Sequence, residues 1–239
     1  MLPESHRTAD DNIYLLEDRY ETPKEVHKLV AERILAFHSD IKTLSIVDVG
    51  CATGEFLFYL ARTIGDKHRF SGAEVSAAMV TKAQRMVPIA DFSIYDISSE
   101  NASLGRQFDV VTCCGVLEIF DDLTIPIHNL LGLCKPGGLV LIFAAVNDYP
   151  IDLITRYRVG GTTQTWEKGW NYFSIRTYRE LIRNESERYQ IHTIDFVLPF
   201  DIPMGTDPMR TWTIGVNGKR TITCGAGLLL SEKLIEIYK

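Results

Sequence analysis

The chain has 239 residues, 46% of them hydrophobic and 23% charged, and carries a formal net charge of −6. That length fits one α/β domain with a full core, and the acidic balance disfavours a large nucleic-acid footprint, which needs clustered Lys and Arg. The five cysteines (Cys51, Cys113, Cys114, Cys134, Cys224) are odd in number with no Cys-x-x-Cys pair, no secretory signal opens the chain, and the longest apolar run, Leu139 to Val146, is too short for a membrane span. The expectation is a cytoplasmic protein with reduced thiols and no membrane partner.

Residues 1–20 are polar and acidic, with Tyr14 and Tyr20 as their only aromatics; they are expected to fold over a ligand mouth or to stay mobile. Thr22-Pro23 reads as an N-cap and first helical position, opening a helix whose apolar face is Val26, Leu29, Val30, Ile34 and Leu35. Leu44, Ile46 and Val47 form a first buried strand, and Phe56, Leu57, Leu60 and Ala61 repeat at helical spacing. Between them lies Asp48-x-Gly50-x-Ala52-x-Gly54, a small-residue turn that lets backbone approach a ligand at a helix N-terminus. A dinucleotide fingerprint wants G-x-G-x-x-G and a phosphate loop wants a lysine after its glycines; this turn has neither.

Phe70 to Val75 reads as a second strand with Glu74 at its end, where an acid can accept from two ribose hydroxyls. Ser76 caps the next helix, whose Met79 and Val80 face inward and which Pro88 ends. Asp91 to Tyr95 and Phe108 to Cys114 are the third and fourth strands, with Asp96 just beyond the third. A helix from about Thr124 to Cys134 stops at Lys135-Pro136-Gly137-Gly138, before a fifth strand from Leu139 to Val146. The aromatic and arginine-rich stretch 147–173 is long for a βα loop and reads as a lid. Ser174 caps a further helix, Ile191 to Leu198 is a sixth strand, and Asn217-Gly218 between β-prone runs predicts a hairpin. Leu228 to Tyr238 closes the chain as an antiparallel last strand.

The glycine turn, Glu74, Asp96, the Asp109–Gly115 strand end, the Pro136-Gly137-Gly138 turn and the terminal antiparallel strands together resemble the class I, Rossmann-like S-adenosylmethionine-dependent methyltransferase family, well over residues 44–146 and loosely beyond. In that family the second glycine of the turn is often alanine, as at Ala52. The resemblance implies an α/β fold: a doubly wound, seven-stranded, mostly parallel sheet with a C-terminal antiparallel hairpin, helices on both faces and lid insertions. It further implies a single domain over 1–239, with an N-terminal helical cap at 1–40, a lid at 147–173 and a hairpin insertion at 203–226.

It implies one bound S-adenosyl-L-methionine. The Gly50–Gly54 backbone, with Cys51 and Ala52, would approach the methionine part, and Asp48 would orient the turn and the amino group. Glu74 would hold the ribose hydroxyls, Val75 and Met79 would pack the adenine, and Asp96 with Ile97 would meet its amino group and ring. Cys114 and Gly115 would offer backbone to the amino acid portion. Many small-molecule members carry Leu-Glu-His after the fourth strand; here the run is Leu117-Glu118-Ile119, which removes that base. Glu118 and Asp148 stand as candidate bases, and Asp121 and Asp122 as helix-cap residues with Asp121 also a base candidate. Tyr149, Arg156, Arg158, Trp166 and Trp170 are candidates for gripping and stacking an acceptor, with lid packing or solvated arginines as the bland alternative. No His/Cys/carboxylate cluster has zinc spacing.

The expected function is methylation of a small polar metabolite, a sugar or glycan precursor among them, at oxygen or nitrogen. Methylation of protein or RNA and a non-catalytic cofactor-binding scaffold are the alternatives. The partner is then a small-molecule methyl acceptor, with the oligomeric state open, a homodimer included.

Overall fold

The computed structural model describes residues 11–37, 43–161, 165–207 and 209–239. Residues 1–10 and 38–40 of the expected N-terminal cap, 162–164 of the expected lid and 208 of the hairpin insertion lie outside them.

The N-terminal segment holds two helices, α1 (Asp11–Leu16) and α2 (Glu25–Phe37). Alternating strands and helices follow: β1 (Ser45–Val49), α3 (Glu55–Ile64), β2 (Arg69–Glu74), α4 (Ala77–Met86), β3 (Ala90–Ile94), β4 (Phe108–Cys114), α5 (Thr124–Leu133) and β5 (Cys134–Asn147). Three short strands, β6 (Arg156–Tyr157), β7 (Glu167–Lys168) and β8 (Phe173–Ser174), precede α6 (Ile175–Glu185) and β9 (Gln190–Asp195). The chain ends in β10 (Trp212–Val216), β11 (Lys219–Thr223) and β12 (Leu229–Tyr238).

The sheet runs β10-β11-β12-β5-β4-β1-β2-β3, with β9 also on β12 and β8 on β5. Strands β1 to β5 pair in parallel, and β12 is antiparallel to both β5 and β9. The expected seven strands are thus present and extended by β8, β10 and β11. Ile46, Val47, Val110, Val111, Leu139 and Val140 are fully buried, because helices cover both faces and leave no side of these strands to water. One apolar cluster gathers Leu130, Tyr178 and Ile182 under α5 and α6; the other gathers Val30, Ile34, Leu57, Leu60 and Val80 under α2, α3 and α4.

Two expected boundaries move. Helix α2 begins at Glu25 rather than after Thr22, because the preceding segment is tied elsewhere: Tyr20 Oη donates to the Thr53 carbonyl at 2.8 Å and Lys24 Nζ to Glu17 at 3.1 Å. The Pro136-Gly137-Gly138 turn does not separate helix from strand. Strand β5 already starts at Cys134, opposite Phe108, and the next partners are Val110 and Leu139, so the turn bulges out of the strand. Ser174 does cap α6, its side chain accepting from the Thr177 N–H at 3.1 Å.

The last strand is longer than the sheet beneath it. Residues 231–238 pair with β5 and 233–238 with β9, whereas Leu229 and Leu230 pair with β11. Asn217 (φ 49°) and Gly218 (φ 74°) both take left-handed backbone and close the β10–β11 hairpin, as that two-residue turn requires. The hairpin therefore stands above the carboxyl ends of the parallel strands.

Candidate active site

The strand order reverses between β1 and β4, the point where open α/β sheets form a ligand crevice. On the β1 side, Gly50 (φ +73°), Ala52 (φ +46°) and Gly54 (φ +83°) turn the chain sharply into α3. Glu74, at the end of neighbouring β2, locks that turn: its Oε2 accepts the Ala52 N–H and its Oε1 the Ser76 N–H, both at 3.0 Å. A carboxylate has about four acceptor sites, so two remain for a ligand's hydroxyls. Asp48 lies beneath the turn and accepts from the Thr112 hydroxyl at 2.7 Å. Burial pushes its carboxyl up to about 7, the Thr112 bond opposing and the Glu74 charge reinforcing the shift. On the β4 side, Gly115 (φ +67°) has no atom within 4 Å of where a Cβ would stand.

These groups line a cavity of about 1050 Å³, above the roughly 300–1,000 Å³ of a typical small-molecule site and so roomy enough for two ligands together. Asp48, Gly50, Cys51, Ala52, Glu74, Val75, Met79, Asp96, Ile97, Cys114 and Gly115 all line it. Gly54 does not; it is packed inside the turn, where a Cβ would meet Phe92 at 2.9 Å. The N-terminal segment closes one side with Tyr14, Glu17, Arg19 and Lys24, and Lys82 Nζ fastens it by donating to the Leu15 and Glu17 carbonyls. His27 of α2 also lines the cavity, kept neutral by burial that lowers its ring to about 3.

The opposite side is the 147–173 segment. Of the acceptor-binding candidates it carries, only Trp170 lines the cavity. Tyr149 is 73% exposed and Trp166 51%, the latter beneath the Arg158 guanidinium at 5.2 Å. Arg156 pairs with Asp121 at 2.5 Å. Spacing did not single out Asn171, which is nearly fully buried and does the fastening: its amide N–H donates to the Glu118 carbonyl, its Nδ2 to the Phe120 carbonyl and Asp121, and its Oδ1 accepts the Thr155 N–H. Asp121 is thus a lid anchor, while Asp122 accepts the Thr124 N–H at 2.7 Å just ahead of α5, whose N-cap is Leu123.

Of the two expected bases, Glu118 lines the cavity and Asp148 does not. Asp148 pairs with Lys233 at 3.1 Å, on the face of β12 turned away from the site. Glu118 is 7% exposed; its Oε1 accepts the Ala145 N–H at 2.9 Å and its Oε2 is buried without a partner. Burial pushes its carboxyl up to about 7. Glu232, absent from the sequence candidates, also lines the cavity, and burial together with the Glu118 charge raises it to about 7. Apolar residues make up much of the chamber's wall: Phe143 of β5 meets Phe196 edge-on at 5.1 Å, and Ile222, Leu228 and Leu230 come from β11, the segment after it and β12, while Asp201, Arg210 and Thr211 add polar groups.

Comparison with known proteins agrees with this geometry. The family model described as a methyltransferase domain matches residues 47–140. A Streptomyces fradiae dTDP-3-amino-3,6-dideoxy-α-D-glucopyranose N,N-dimethyltransferase is 36% identical over 125 residues, half of this chain and 47% of that protein. A Haemophilus ducreyi malonyl-[acyl-carrier protein] O-methyltransferase is 23% identical over 84% of this chain and 72% of its own. Among solved structures, the N-methyltransferase NodS from Bradyrhizobium japonicum, in complex with S-adenosyl-L-homocysteine, superposes with a TM-score of 0.57 at 12% identity over 97% of each chain. The [4+2]-cyclase SpnF superposes with a TM-score of 0.52 at 25% identity over 71% of this chain and 58% of its own. The chain spans less than half the length of several curated relatives it matches, including 46% of a Synechococcus protein. With its glycine turn, its sheet order and the methyltransferase-domain match over residues 47–140, the chain has the fold of the class I, Rossmann-like S-adenosylmethionine-dependent methyltransferases.

Proposed function

We propose that the chain is an S-adenosylmethionine-dependent methyltransferase acting on a small molecule at oxygen or nitrogen. The observation that carries this is the pairing of two half-sites in one cavity: the Glu74-locked turn facing the open Gly115 backbone, and an apolar chamber continuous with them. The residues fit the cofactor. Glu74 keeps acceptor capacity for ribose hydroxyls, Val75, Met79 and Ile97 offer apolar contact for a base, and Asp96 offers an acceptor beside it. A Cβ at Gly115 would fill the open space that the amino acid portion needs.

Bound there, the cofactor supplies an electrophilic methyl on sulfur. The protein's task is then to hold an acceptor in line, exclude water and manage its proton. The strap through Tyr14 and Lys24 and the lid pinned by Asn171 exclude water, and Glu118 supplies a carboxyl poised near neutrality. The chamber's aromatic and aliphatic walls favour an acceptor with an apolar body over a sugar-like one. As a second reading, the likeness to a [4+2]-cyclase favours a cofactor-holding chamber in which no methyl is transferred.

Calorimetric titration with S-adenosylmethionine and S-adenosylhomocysteine, with NAD as control, tests the cofactor. Micromolar binding of the first two alone is the expected result, and binding of NAD alone would overturn the reading. Transfer of a labelled methyl to any acceptor then separates the enzyme from the scaffold.

A further inference from the structure

We propose, on the footing of the methyltransferase reading, that Glu118 and Glu232 together form a carboxyl pair that receives the acceptor, and that the acceptor is an amine carried on an apolar body. Strand register brings the two acids together. Glu232 stands directly opposite Ala145 in the β5–β12 ladder, and the Ala145 N–H donates to Glu118 at 2.9 Å. Side chains of directly opposed residues share one face of a sheet, and Ala145, Glu118 and Glu232 all line the cavity. Oε2 of Glu118 is buried and without a hydrogen-bond partner, an acceptor left open at the place where a ligand would lie.

Arg210 and Asp201 also line the cavity from the hairpin side, and the Glu118 and Glu232 carboxyls are shifted by burial, backbone bonds and the Glu118 charge, not by a cation. Among the described residues, neither carboxyl forms an ion pair. Lys233, next along β12, points to the opposite face and is held by Asp148 and Asp195. The cavity's N-terminal cations, Arg19 and Lys24, are engaged with Glu17. Other titratable groups near the pair are Tyr172 from the lid, Tyr178 from α6, and Cys113 and Cys114 from β4. Burial raises all four, so they are neutral at pH 7. The Glu118 charge raises Glu232, so in an apolar wall the two carboxyls do not both ionise freely and the pair carries one proton. That form keeps one negative charge surrounded by Phe143, Phe196, Ile222 and Leu230. A neutral hydroxyl leaves the charge uncompensated, whereas an ammonium neutralises it and fills the open acceptor.

The proton balance is complete within the site. The bound ammonium gives one proton to the singly protonated pair, which becomes doubly protonated, and its nitrogen lone pair is freed. As the N–C bond forms and the S–C bond breaks, the electron pair of the latter stays on sulfur and the positive charge passes to nitrogen. The alkylammonium product leaves, and the pair returns its extra proton to water.

The test uses the full chain saturated with S-adenosylhomocysteine at pH 7.5, titrated with 2-phenylethylamine and with 2-phenylethanol. The amine is expected to bind at least tenfold tighter than the alcohol. Glu232→Gln and, independently, Glu118→Gln should abolish that preference while S-adenosylhomocysteine still binds, which also reports that the variants are folded; Glu232→Asp should keep part of it. Equal binding of the two probes, binding of neither, or an unchanged preference in both Gln variants would overturn the proposal. Failure of the unsubstituted protein to bind S-adenosylhomocysteine would instead overturn the methyltransferase reading beneath it.

Discussion

The amide N–H of Asn171 donates to the main-chain carbonyl of Glu118 at 2.6 Å. This contact ties the lid directly to the turn after β4 that carries the chamber's buried carboxyl. The Asn171 side chain adds bonds to Phe120, Asp121 and Thr155. Asn171→Ala would leave the Phe120 carbonyl and the Thr155 N–H unpaired, and stability should fall by about 1–3 kcal/mol, the cost of buried polar groups without partners. Chemical denaturation measures this. Binding of any acceptor should weaken more than binding of the cofactor, because the lid covers the former.

Glu74 gives a cofactor-side prediction. Glu74→Ala removes both the acceptor for ribose hydroxyls and the lock on the Ala52 N–H, so affinity for S-adenosylhomocysteine should drop by on the order of 1–3 kcal/mol. Glu74→Gln keeps one acceptor oxygen and should lose less. If calorimetry finds Glu74→Ala at the affinity of the unsubstituted protein, the ribose lies elsewhere.

Two glycines should separate folding from binding. Both take left-handed backbone, which costs an alanine roughly 1–2 kcal/mol. A Cβ at Gly50 would in addition stand 2.3 Å from a Val116 methyl, whereas one at Gly115 meets nothing within 4 Å. Gly50→Ala should therefore lower the melting temperature more, and Gly115→Ala should mainly weaken cofactor binding by occupying its space. Paired melting curves and titrations of the two variants check the ordering.

Stability should fall as pH rises through neutrality. The folded-state carboxyls of Asp48, Glu118 and Glu232 lie near 7, above their ordinary values, so the folded protein retains protons that the unfolded chain has already released. Their contribution is fully present at low pH and lost as pH passes 7. His27 works the other way, since its folded value of about 3 lies below the ordinary 6.5, but it is one group against three. The denaturant midpoint of the ligand-free protein should therefore decrease from about pH 5 to 7 and level off by about pH 8. Glu118→Gln should flatten that decline.

Asp148 supplies a contrast. Held by Lys233 outside the cavity, it should tolerate Asp148→Asn with less than a twofold change in kcat on any acceptor that turns over. A tenfold loss at unchanged KM would restore it as the base.

The placement of Asp148 and Glu232 shows where local pattern stops being informative. Asp148 follows a strand end that faces the site, and its position alone made it a candidate base; the ion pair that turns it away comes from β12, far along the chain. Glu232 lies in an apolar stretch of an antiparallel strand, where nothing nearby in sequence distinguishes a wall carboxyl from a solvated one. Asn171 escaped notice for a similar reason, since its side-chain partners lie 16 to 51 positions away.

The cofactor half was legible because it is built from consecutive residues. A left-handed turn demands small residues at fixed spacing, a buried parallel strand demands an apolar run, and the acid at the end of β2 follows at a set distance. Sequence by itself therefore determined the sheet type, the glycine turn, Glu74 and the Asn217-Gly218 hairpin. Only the tertiary structure decided the acceptor chamber: that Glu118 and Glu232 line one cavity, that the hairpin side closes it, and that four of five acceptor-binding candidates in the lid lie outside it. Those relationships are set by register between strands distant in sequence and by which face of each strand is buried, neither of which a run of neighbouring residues encodes.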